Sequence, residues 1–175
     1  MDGLRLRPIV LADWPAVHSW ARLERACRYQ AWGPNTAAET QAFTEQAVSS
    51  WATGDPQWMV YAVEVDGEVC GLGDLTIRSA RHRQGEIGYG VHPDRWGAGL
   101  GTRIGAALLH IAFVERGLHR VSATCDPRNV ASARILAKLG MTYEGRMRGT
   151  MLLRDGWRDS DLFAILATDW PARAG

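Results

Sequence analysis

Two periods of hydrophobic positions alternate along the chain, and together they predict a mixed α/β (α+β) fold. Apolar residues recur at every second position in some segments, as in strands, and at every third or fourth position in others, as in amphipathic helices. The predicted elements follow one another as β-α-α-β-β-β-α-β-α-β-β, without an internal repeat or linker. Because strands alternate with helices in the second half, we expect a mixed sheet covered by helices.

The period of two predicts seven strands. Asp66-Gly67 and Asp155-Gly156 each separate two such segments, and Asp-Gly between alternating segments is a strong signal for a hairpin turn. The predicted strands are Leu4–Ile9, Gln57–Val65, 68–77, Gln84–Val91, 119–126, 141–154 and 157–166.

The helical period predicts four helices, at about 12–24, 36–52, 100–116 and 129–139. Asp13 is the expected N-cap of the first, with Pro15 in its first turn. Thr36-x-x-Glu39 is a capping box that opens the second. Asn129 is placed to cap the fourth. The following list gives the apolar stripe expected on the third helix, which Gly117 should end: Leu100, Ile104, Leu108, Ile111 and Val114.

Composition narrows the class of protein. The chain has 175 residues and a formal net charge of +1, so we expect a single domain (1–175) with no nucleic acid or membrane as its main partner. The N-terminus lacks an apolar leader and no apolar run is long enough to span a bilayer, which favours a cytoplasmic location. Cys27, Cys70 and Cys125 are widely spaced and have no histidine at ligand spacing, so free thiols and no metal are expected.

The eight tryptophans are numerous for this length, and five of them fall in the first 58 residues. Core packing accounts for such a concentration, and so does an aromatic-lined pocket or interface.

The segment "GEIGYGVHPDRWGAGLG" (85–101) carries the first chemical signal. A strand that leads through a glycine-rich turn into a helix can bind phosphate, because the first N–H groups of a helix are unpaired and its dipole favours an anion. Gly97, Gly99 and Gly101 would let an anion approach the backbone. The segment lacks the Gly-Lys-Ser/Thr of a P-loop, and its glycine spacing does not match the dinucleotide fingerprint.

This segment resembles motif A of the GNAT acyltransferase superfamily, here as Trp96-x-x-Gly99-x-Gly101 with tryptophan at the first position, as in RimJ/RimL-like N-acetyltransferases. Three further segments resemble that subgroup in the same order. They are "RYQAWGPNTAAETQAF" on the substrate side, "NVASARILAKLGMTYEGRMR" at motif B and "RDGWRDSDLFAIL" in the closing hairpin.

The resemblance implies a GNAT-like, mostly antiparallel central sheet in which two parallel strands, Glu86–Val91 and Val121–Cys125, splay apart around acetyl-CoA. It also implies a set of acceptor-side residues, Tyr29 and Trp32. The residues implied to bind the acetyl-CoA co-substrate are Val91, Trp96, Gly97, Ala98, Gly99, Leu100, Gly101, Thr102, Asn129, Ser132 and Lys138.

Acetyl transfer to an amine needs a base for the ammonium and an acid for the leaving thiolate. The resemblance implies Glu86 as the general base, whereas a structural carboxylate paired with an arginine of "RHR" (81–83) is the other interpretation. Ser132 and Tyr143 compete as the acid. Asn129 would serve as a helix cap as well, and Tyr89 is interpreted as structural.

The expected acceptor is a primary amine, either a protein N-terminal α-amine or a small molecule. Our alignment places Met151 where ribosomal-protein acetylators carry an acidic residue, which weakens the case for a ribosomal N-terminus. Two alternatives stay open: a CoA-binding sensor or partner-binding module without turnover, and a transferase of another acyl group such as succinyl, with Arg78, Arg83 or Arg128 near its carboxylate. A homodimer is possible because relatives often pair.

Overall fold

The computed structural model describes residues 3–170, so the outermost residues of the predicted 1–175 domain, 1–2 and 171–175, lie outside the described residues. Seven strands form one sheet in the order β1-β2-β3-β4-β5-β7-β6. The strands are β1 (Leu4–Pro8), β2 (Trp58–Val65), β3 (Glu68–Ser79), β4 (Gln84–Val91), β5 (Arg120–Cys125), β6 (Thr142–Leu153) and β7 (Gly156–Leu166).

All neighbouring strands are antiparallel except β4 and β5, which are parallel. The parallel pairing covers only Gln84–Glu86 opposite Arg120–Ser122. Beyond it, β4 continues to Val91 along β3, and β5 continues to Cys125 along β7. The two strands therefore diverge, and the expected splayed parallel pair in a mostly antiparallel sheet is confirmed.

Five helices lie along the described chain. They are α1 (Trp14–Ala21), α2 (Glu24–Cys27), α3 (Ala37–Trp51), α4 (Leu100–His110) and α5 (Val130–Lys138). Short 3₁₀ turns precede α1 and α4, at Leu11–Asp13 and Pro93–Arg95, and a π-helical turn, Ile111–Glu115, continues α4. The predicted first helix, 12–24, thus corresponds to the end of a 3₁₀ turn and to α1, and the single turn α2 begins at its last residue.

The helices bury two apolar clusters, one on each face of the sheet. On one face, Ile104 and Leu108 of α4 pack with Leu75 and Ile87 of the sheet. On the other, residues of α1 and α3 pack against Val60 of β2. Trp51 of α3 packs against both clusters. Its indole Nε1–H also donates to the Val60 carbonyl oxygen of β2 at 2.9 Å. Core packing therefore explains at least part of the tryptophan-rich first third.

Several local signals are confirmed. Thr36 and Glu39 form both hydrogen bonds of the capping box. The Asp66-Gly67 turn has φ values of 53° and 84°, as a tight two-residue hairpin requires. The Asn129 side chain accepts from the Ser132 N–H at 3.1 Å and so caps α5. The three cysteines are buried free thiols.

Two expectations were wrong. Val114 is 58% exposed rather than part of the α4 stripe, because the π turn shifts the register of that stripe after His110. Asp13 does occupy the N-cap position of α1, but the capping hydrogen bond expected from its side chain is absent. Its carboxylate accepts from the Arg7 guanidinium at 2.7 and 2.8 Å and from the Val10 N–H.

Candidate active site

The gap between β4 and β5 exposes backbone hydrogen-bonding groups. His92 donates its N–H to the Cys70 carbonyl oxygen of β3 at 2.7 Å. Because bonding direction alternates along an antiparallel strand, the N–H and C=O groups of Tyr89 and Val91 point away from β3 and toward β5. At their level β5 no longer pairs with β4. An extended amide-containing chain would find partners there.

The glycine-rich turn lies at the end of this gap. Gly97 and Gly99 have φ values of 82° and 74°, in the left-handed region that favours glycine, and a Cβ on either would meet open space. Within residues 3–170, the backbone N–H groups of 97–102 donate to no acceptor, whereas the Arg103 N–H bonds the Gly99 carbonyl oxygen. The turn and the first turn of α4 therefore present free donors to an anion, as a diphosphate requires.

Gly101 has a second role that the sequence pattern did not indicate. It is buried, and a Cβ there would lie 2.7 Å from Ile135 Cδ1 of α5. One turn further, a Cβ on Gly105 would clash with Leu139 Cδ1. These two glycines let α4 and α5 approach closely.

Trp96, whose side chain is half exposed, links the glycine-rich turn to the end of β4 by a hydrogen bond. Its indole Nε1–H donates to the Val91 carbonyl oxygen at 2.9 Å. Because Trp96 occupies that carbonyl, the N–H of Val91 is the backbone group that remains to bind a ligand. The preceding 3₁₀ turn is held by ion pairs of Arg25 with Asp94 at 2.7 Å and of Arg95 with Glu68 at 2.8 Å.

Ser132 lies beside two groups that the sequence analysis did not assign to the site. Its hydroxyl is 3.1 Å from the Tyr89 hydroxyl and also bonds the Cys125 thiol. Burial raises the pKa of Tyr89 to about 12 and is the largest cause that raises the pKa of Cys125 to about 11. Both neighbours are therefore protonated at neutral pH, and Tyr89 contacts the site in addition to packing.

Glu86 projects from the opposite face of β4, because side chains alternate along a strand. Its Oε2 accepts from the Arg78 Nε at 2.8 Å. The arginine partner is therefore Arg78 of β3 and not the expected Arg81 or Arg83. Glu86 is also the last β4 residue paired with β5, opposite Ser122, so it stands where the gap opens.

Asp74 of β3 is a second carboxylate on this face, and the sequence analysis missed it. It is the register partner of Gly88, two residues along β4 from Glu86. Burial is the largest cause that raises the Asp74 pKa to about 6, and the charge of Glu86 raises it further, whereas a hydrogen bond from Trp58 and the charge of Arg78 lower it. The sequence signal that could have identified it is a single aspartate within the alternating apolar segment "EVCGLGDLTI".

Tyr143 and Lys138 lie apart from this arrangement. Tyr143 packs edge-on against Phe163, and its hydroxyl donates to Asp161 at 3.5 Å rather than to Ser132. Lys138 is exposed at the C-terminal end of α5, away from the end that carries Ser132.

Tyr29 meets the other half of the chain, whereas Trp32 is exposed. The Arg128 guanidinium carbon lies 5.7 Å from the Tyr29 ring centroid, which is within cation–π range. Arg128 is paired with Asp126 at 2.6 Å and contributes to a depression of about 350 Å³ that Arg146 and Trp157 also line. Through Arg128, the loop that carries Tyr29 therefore lies next to the depression lined by the closing hairpin β6–β7.

The described residues hold neither a metal-ligand cluster nor a membrane-spanning helix. Among the described residues, no group of three or more His, Cys, Asp or Glu side chains is arranged to hold a metal ion. None of the helices between residues 3 and 170 combines the length and the apolar character needed to cross a membrane.

A sheet opened between two parallel strands, with an amide-lined anion loop at the end of the gap, defines an acyl-CoA-dependent transferase. The family comparison agrees: residues 3–142 match the acetyltransferase (GNAT) domain family, and the chain belongs to that family. GNAT acetyltransferases move an acetyl group from acetyl-CoA to an amine, so the chain is a GNAT-family N-acetyltransferase.

Individual relatives span nearly the whole chain. The chain is 31% identical to the N-acetyltransferase YoaA of Bacillus subtilis, with 94% of each chain covered, and 28% identical to YnaD of the same organism, with 95% of each covered. The spermidine N(1)-acetyltransferase of Escherichia coli is 26% identical, over 90% of this chain and 83% of its own. Among solved structures, Mycobacterium smegmatis RimJ in complex with CoA-disulfide aligns with a TM-score of 0.82 and 26% identity, covering 96% of this chain and 84% of RimJ.

Proposed function

We propose that this chain transfers the acetyl group of acetyl-CoA to a primary amine by direct attack within a ternary complex. The observation that carries this proposal is the juxtaposition of two features. The N–H groups of residues 97–102 have no acceptor among residues 3–170, and the Cβ positions of Gly97 and Gly99 border open space. The strand that leads to them has just separated from its parallel neighbour.

Acetyl-CoA would supply an activated acetyl thioester. The amides of Gly97, Ala98, Gly99, Leu100, Gly101 and Thr102 would hold its diphosphate, with the Thr102 hydroxyl as a further donor. The Val91 N–H would donate to the pantetheine arm along β4. Trp96 would keep the loop in place, Asn129 would fix the start of α5, and Lys138 would serve the nucleotide end.

Glu86 is the proposed general base. It stands where the gap opens, and the face of β4 that carries it is opposite the face that packs on α4. Arg78 holds the Glu86 side chain in position at 2.8 Å. An amine that approaches from the α1 and α3 side of the sheet would meet this carboxylate.

Ser132 is the proposed acid for the leaving thiolate, with Tyr143 as the alternative. The Ser132 hydroxyl is oriented by Tyr89 and stands in the first turn of α5, beside β4. The Tyr143 hydroxyl bonds Asp161, which in turn pairs with Arg146 at 2.8 Å. These contacts favour Ser132.

The acceptor is proposed to enter beside Tyr29 and Trp32 and to be either a protein N-terminal α-amine or a small-molecule amine. The succinyl alternative is less favoured, because Arg78 and Arg128 already pair with Glu86 and Asp126. We further propose a single domain over residues 1–175, a cytoplasmic location in keeping with three free thiols, and a homodimer.

A coupled assay tests this function. Purified protein would be mixed with acetyl-CoA and, in turn, n-butylamine, 1,4-diaminobutane and a peptide with a free α-amine. We expect release of the CoA thiol together with an acetylated amine in the mass spectrum. Binding of acetyl-CoA without turnover on any amine would instead favour the CoA-binding module, and the absence of acetyl-CoA binding would reject both.

A further inference from the structure

Asp74 occupies an unusual position for a carboxylate. It lies in the middle of β3, between Gly73 and Leu75, which both face the apolar cluster under α4. Its own side chain faces the opposite side of the sheet, the side of Glu86. β3 and β4 pair through this region, with Asp74 opposite Gly88 and Thr76 opposite Glu86. Asp74 and Glu86 are therefore diagonal neighbours across the strand pair, which is within reach of side-chain interaction.

Gly88 makes room for this carboxylate. A Cβ on Gly88 would clash with Asp74 Oδ1, whereas a Cβ on Gly90, two residues further along the same face, would meet nothing within 4 Å. Gly88 is also the first residue on this face of β4 beyond the last pairing with β5. The Asp74 carboxylate thus lies over β4 where the strand begins to border the gap.

The charges around the two carboxylates do not cancel. Arg78 pairs with Glu86 at 2.8 Å, and Asp74 has no ion-pair partner among residues 3–170. The Trp58 indole of β2 hydrogen-bonds Asp74 as a neutral donor. Of the helices that cover this face, α1 contributes the titratable His18, which is bonded to Thr40 of α3 at 3.1 Å. Two carboxylates and one guanidinium leave one negative charge on the acceptor side of the gap.

We propose that Asp74 and Glu86 act as a carboxylate pair that binds the acceptor as an ammonium ion and takes up one proton from it, with Asp74 as the member that holds the proton. This inference rests on the proposed acetyl transfer and deepens it, because it makes Asp74 a second catalytic residue and specifies a cationic primary amine as the substrate class.

The proton balance is simple. An R–NH₃⁺ group bound between the two carboxylates loses one proton to Asp74, which leaves R–NH₂ with a free electron pair for attack on the acyl carbon. As the C–N bond forms, Glu86 acts as the general base and accepts the second N–H proton. The N–H bond of the ammonium breaks and an O–H bond on Asp74 forms. Asp74 suits this step because burial and the charge of Glu86 both favour its protonated form, whereas Arg78 neutralises Glu86. The proton returns to solvent after the amide product leaves.

A kinetic experiment separates Asp74 from Glu86. The pH dependence of kcat/KM for n-butylamine would be measured for the wild type, D74N, E86Q and the control E45Q, which removes a charge from the exposed surface of α3. We expect an acid limb near pH 6 in the wild type. We expect D74N to lose that limb and at least tenfold in kcat, and E86Q to keep a limb that moves to lower pH, because the Glu86 charge raises the Asp74 pKa. A D74N profile that matches E45Q would overturn the proposal.

A second measurement does not need turnover. The side-chain carboxyl carbon of Asp74 would be followed by ¹³C NMR, with the signal assigned by its loss in D74N. In the presence of CoA, n-butylammonium should lower the Asp74 titration midpoint from near 6, since a bound cation favours the carboxylate. A midpoint unchanged by n-butylammonium would contradict the ammonium site even if the enzyme is active, and a lowered midpoint would support it even if no acetylated product is found.

G88A tests the geometry without removing the carboxylate. The added methyl group would displace Asp74 Oδ1, so we expect KM for n-butylamine to rise at least tenfold while acetyl-CoA affinity stays within twofold. Circular dichroism and a thermal melt would establish that the variant is folded. A folded G88A enzyme with the wild-type KM would count against the Asp74 contact.

Discussion

The donor and acceptor sides proposed for this site are built from different parts of the polypeptide. The proposed donor side is backbone. It consists of the N–H groups of residues 97–102, which have no acceptor among residues 3–170, in a turn where Gly97 and Gly99 have positive φ, and of the amides of β4 beyond its last pairing with β5. The acceptor side is made of side chains, namely Glu86 with Arg78, Asp74 above Gly88, and Tyr29 against Arg128.

This difference determines how readily substitutions can change the ligand that each side binds. A backbone cradle depends on chain conformation, so it recurs wherever the glycine spacing recurs and it binds the part of the donor that is always the same. A side-chain site changes with single substitutions, so it can suit different amines on one scaffold. The predictions that follow set one side against the other, beginning with the largest expected effect.

Glu86→Gln should affect only the acceptor side. We expect kcat to fall by about 10²–10⁴-fold, because a general base typically contributes that much, while the Kd for acetyl-CoA stays within about twofold. Steady-state kinetics and calorimetric titration of acetyl-CoA would measure the two quantities. Turnover that is unchanged across the pH range would reject Glu86 as base.

Ser132→Ala should lower kcat by about a hundredfold, the lower end of what a positioned acid contributes, since the thiolate would lose its proton donor. Tyr143→Phe is the matched hydroxyl deletion, and because the Tyr143 hydroxyl bonds Asp161 we expect a loss of less than about threefold. Pre-steady-state and steady-state release of the CoA thiol would compare the two variants. The reverse order of effects would transfer the acid role to Tyr143.

Gly99→Ala should affect only the donor side. The left-handed conformation at φ 74° costs an alanine about 1–2 kcal/mol, so acetyl-CoA should bind about 5- to 30-fold more weakly. Gly54→Ala is the control, because Gly54 has an ordinary φ and open space around its Cβ position. At saturating acetyl-CoA the KM for the amine should not change, and a changed amine KM would mean that the two sides are not separate.

Asp74→Asn should make the protein more stable at pH 8 and leave it unchanged at pH 4. The folded-state pKa of Asp74, about 6, lies above its usual value of 3.8, so ionisation of the wild type costs folding energy as pH rises from about 4 to about 6. After allowance for partial solvent exposure the gain in free energy of unfolding should be about 1–2 kcal/mol. Urea titrations at both pH values would measure it, and a loss of stability at pH 8 would show that the carboxylate is stabilising.

The sequence predicted the sheet, the order of the strands along the chain and the glycine-rich turn before α4 because each depends on local spacing. Alternation, the Asp66-Gly67 turn and the Thr36 capping box act over a few residues, and glycines with positive φ leave a visible pattern around Gly97 and Gly99. The divergence of β4 and β5 was correct as well, but it came from the family resemblance rather than from periodicity.

What the sequence could not show depends on register between distant segments. Asp74 enters the proposed site only because β3 and β4 pair Asp74 with Gly88, and Tyr89 only because α5 brings Ser132 within 3.1 Å. Val114 was misplaced because one π turn moves the helical stripe, and Asp13 because Arg7 binds its carboxylate in preference to the helix end.

The close contact of α4 and α5 has a consequence for the reach of the site. Gly101 and Gly105 allow Ile135 and Leu139 to sit directly on α4, and Ser132 lies one turn before Ile135. In the proposed complex, the first turn of α4 would hold the diphosphate and Ser132 would meet the sulfur, so one closely packed helix pair would hold both ends of the pantetheine arm. A bulkier residue at position 101 or 105 would push α5 away from α4 and so increase the distance between the proposed diphosphate site and Ser132.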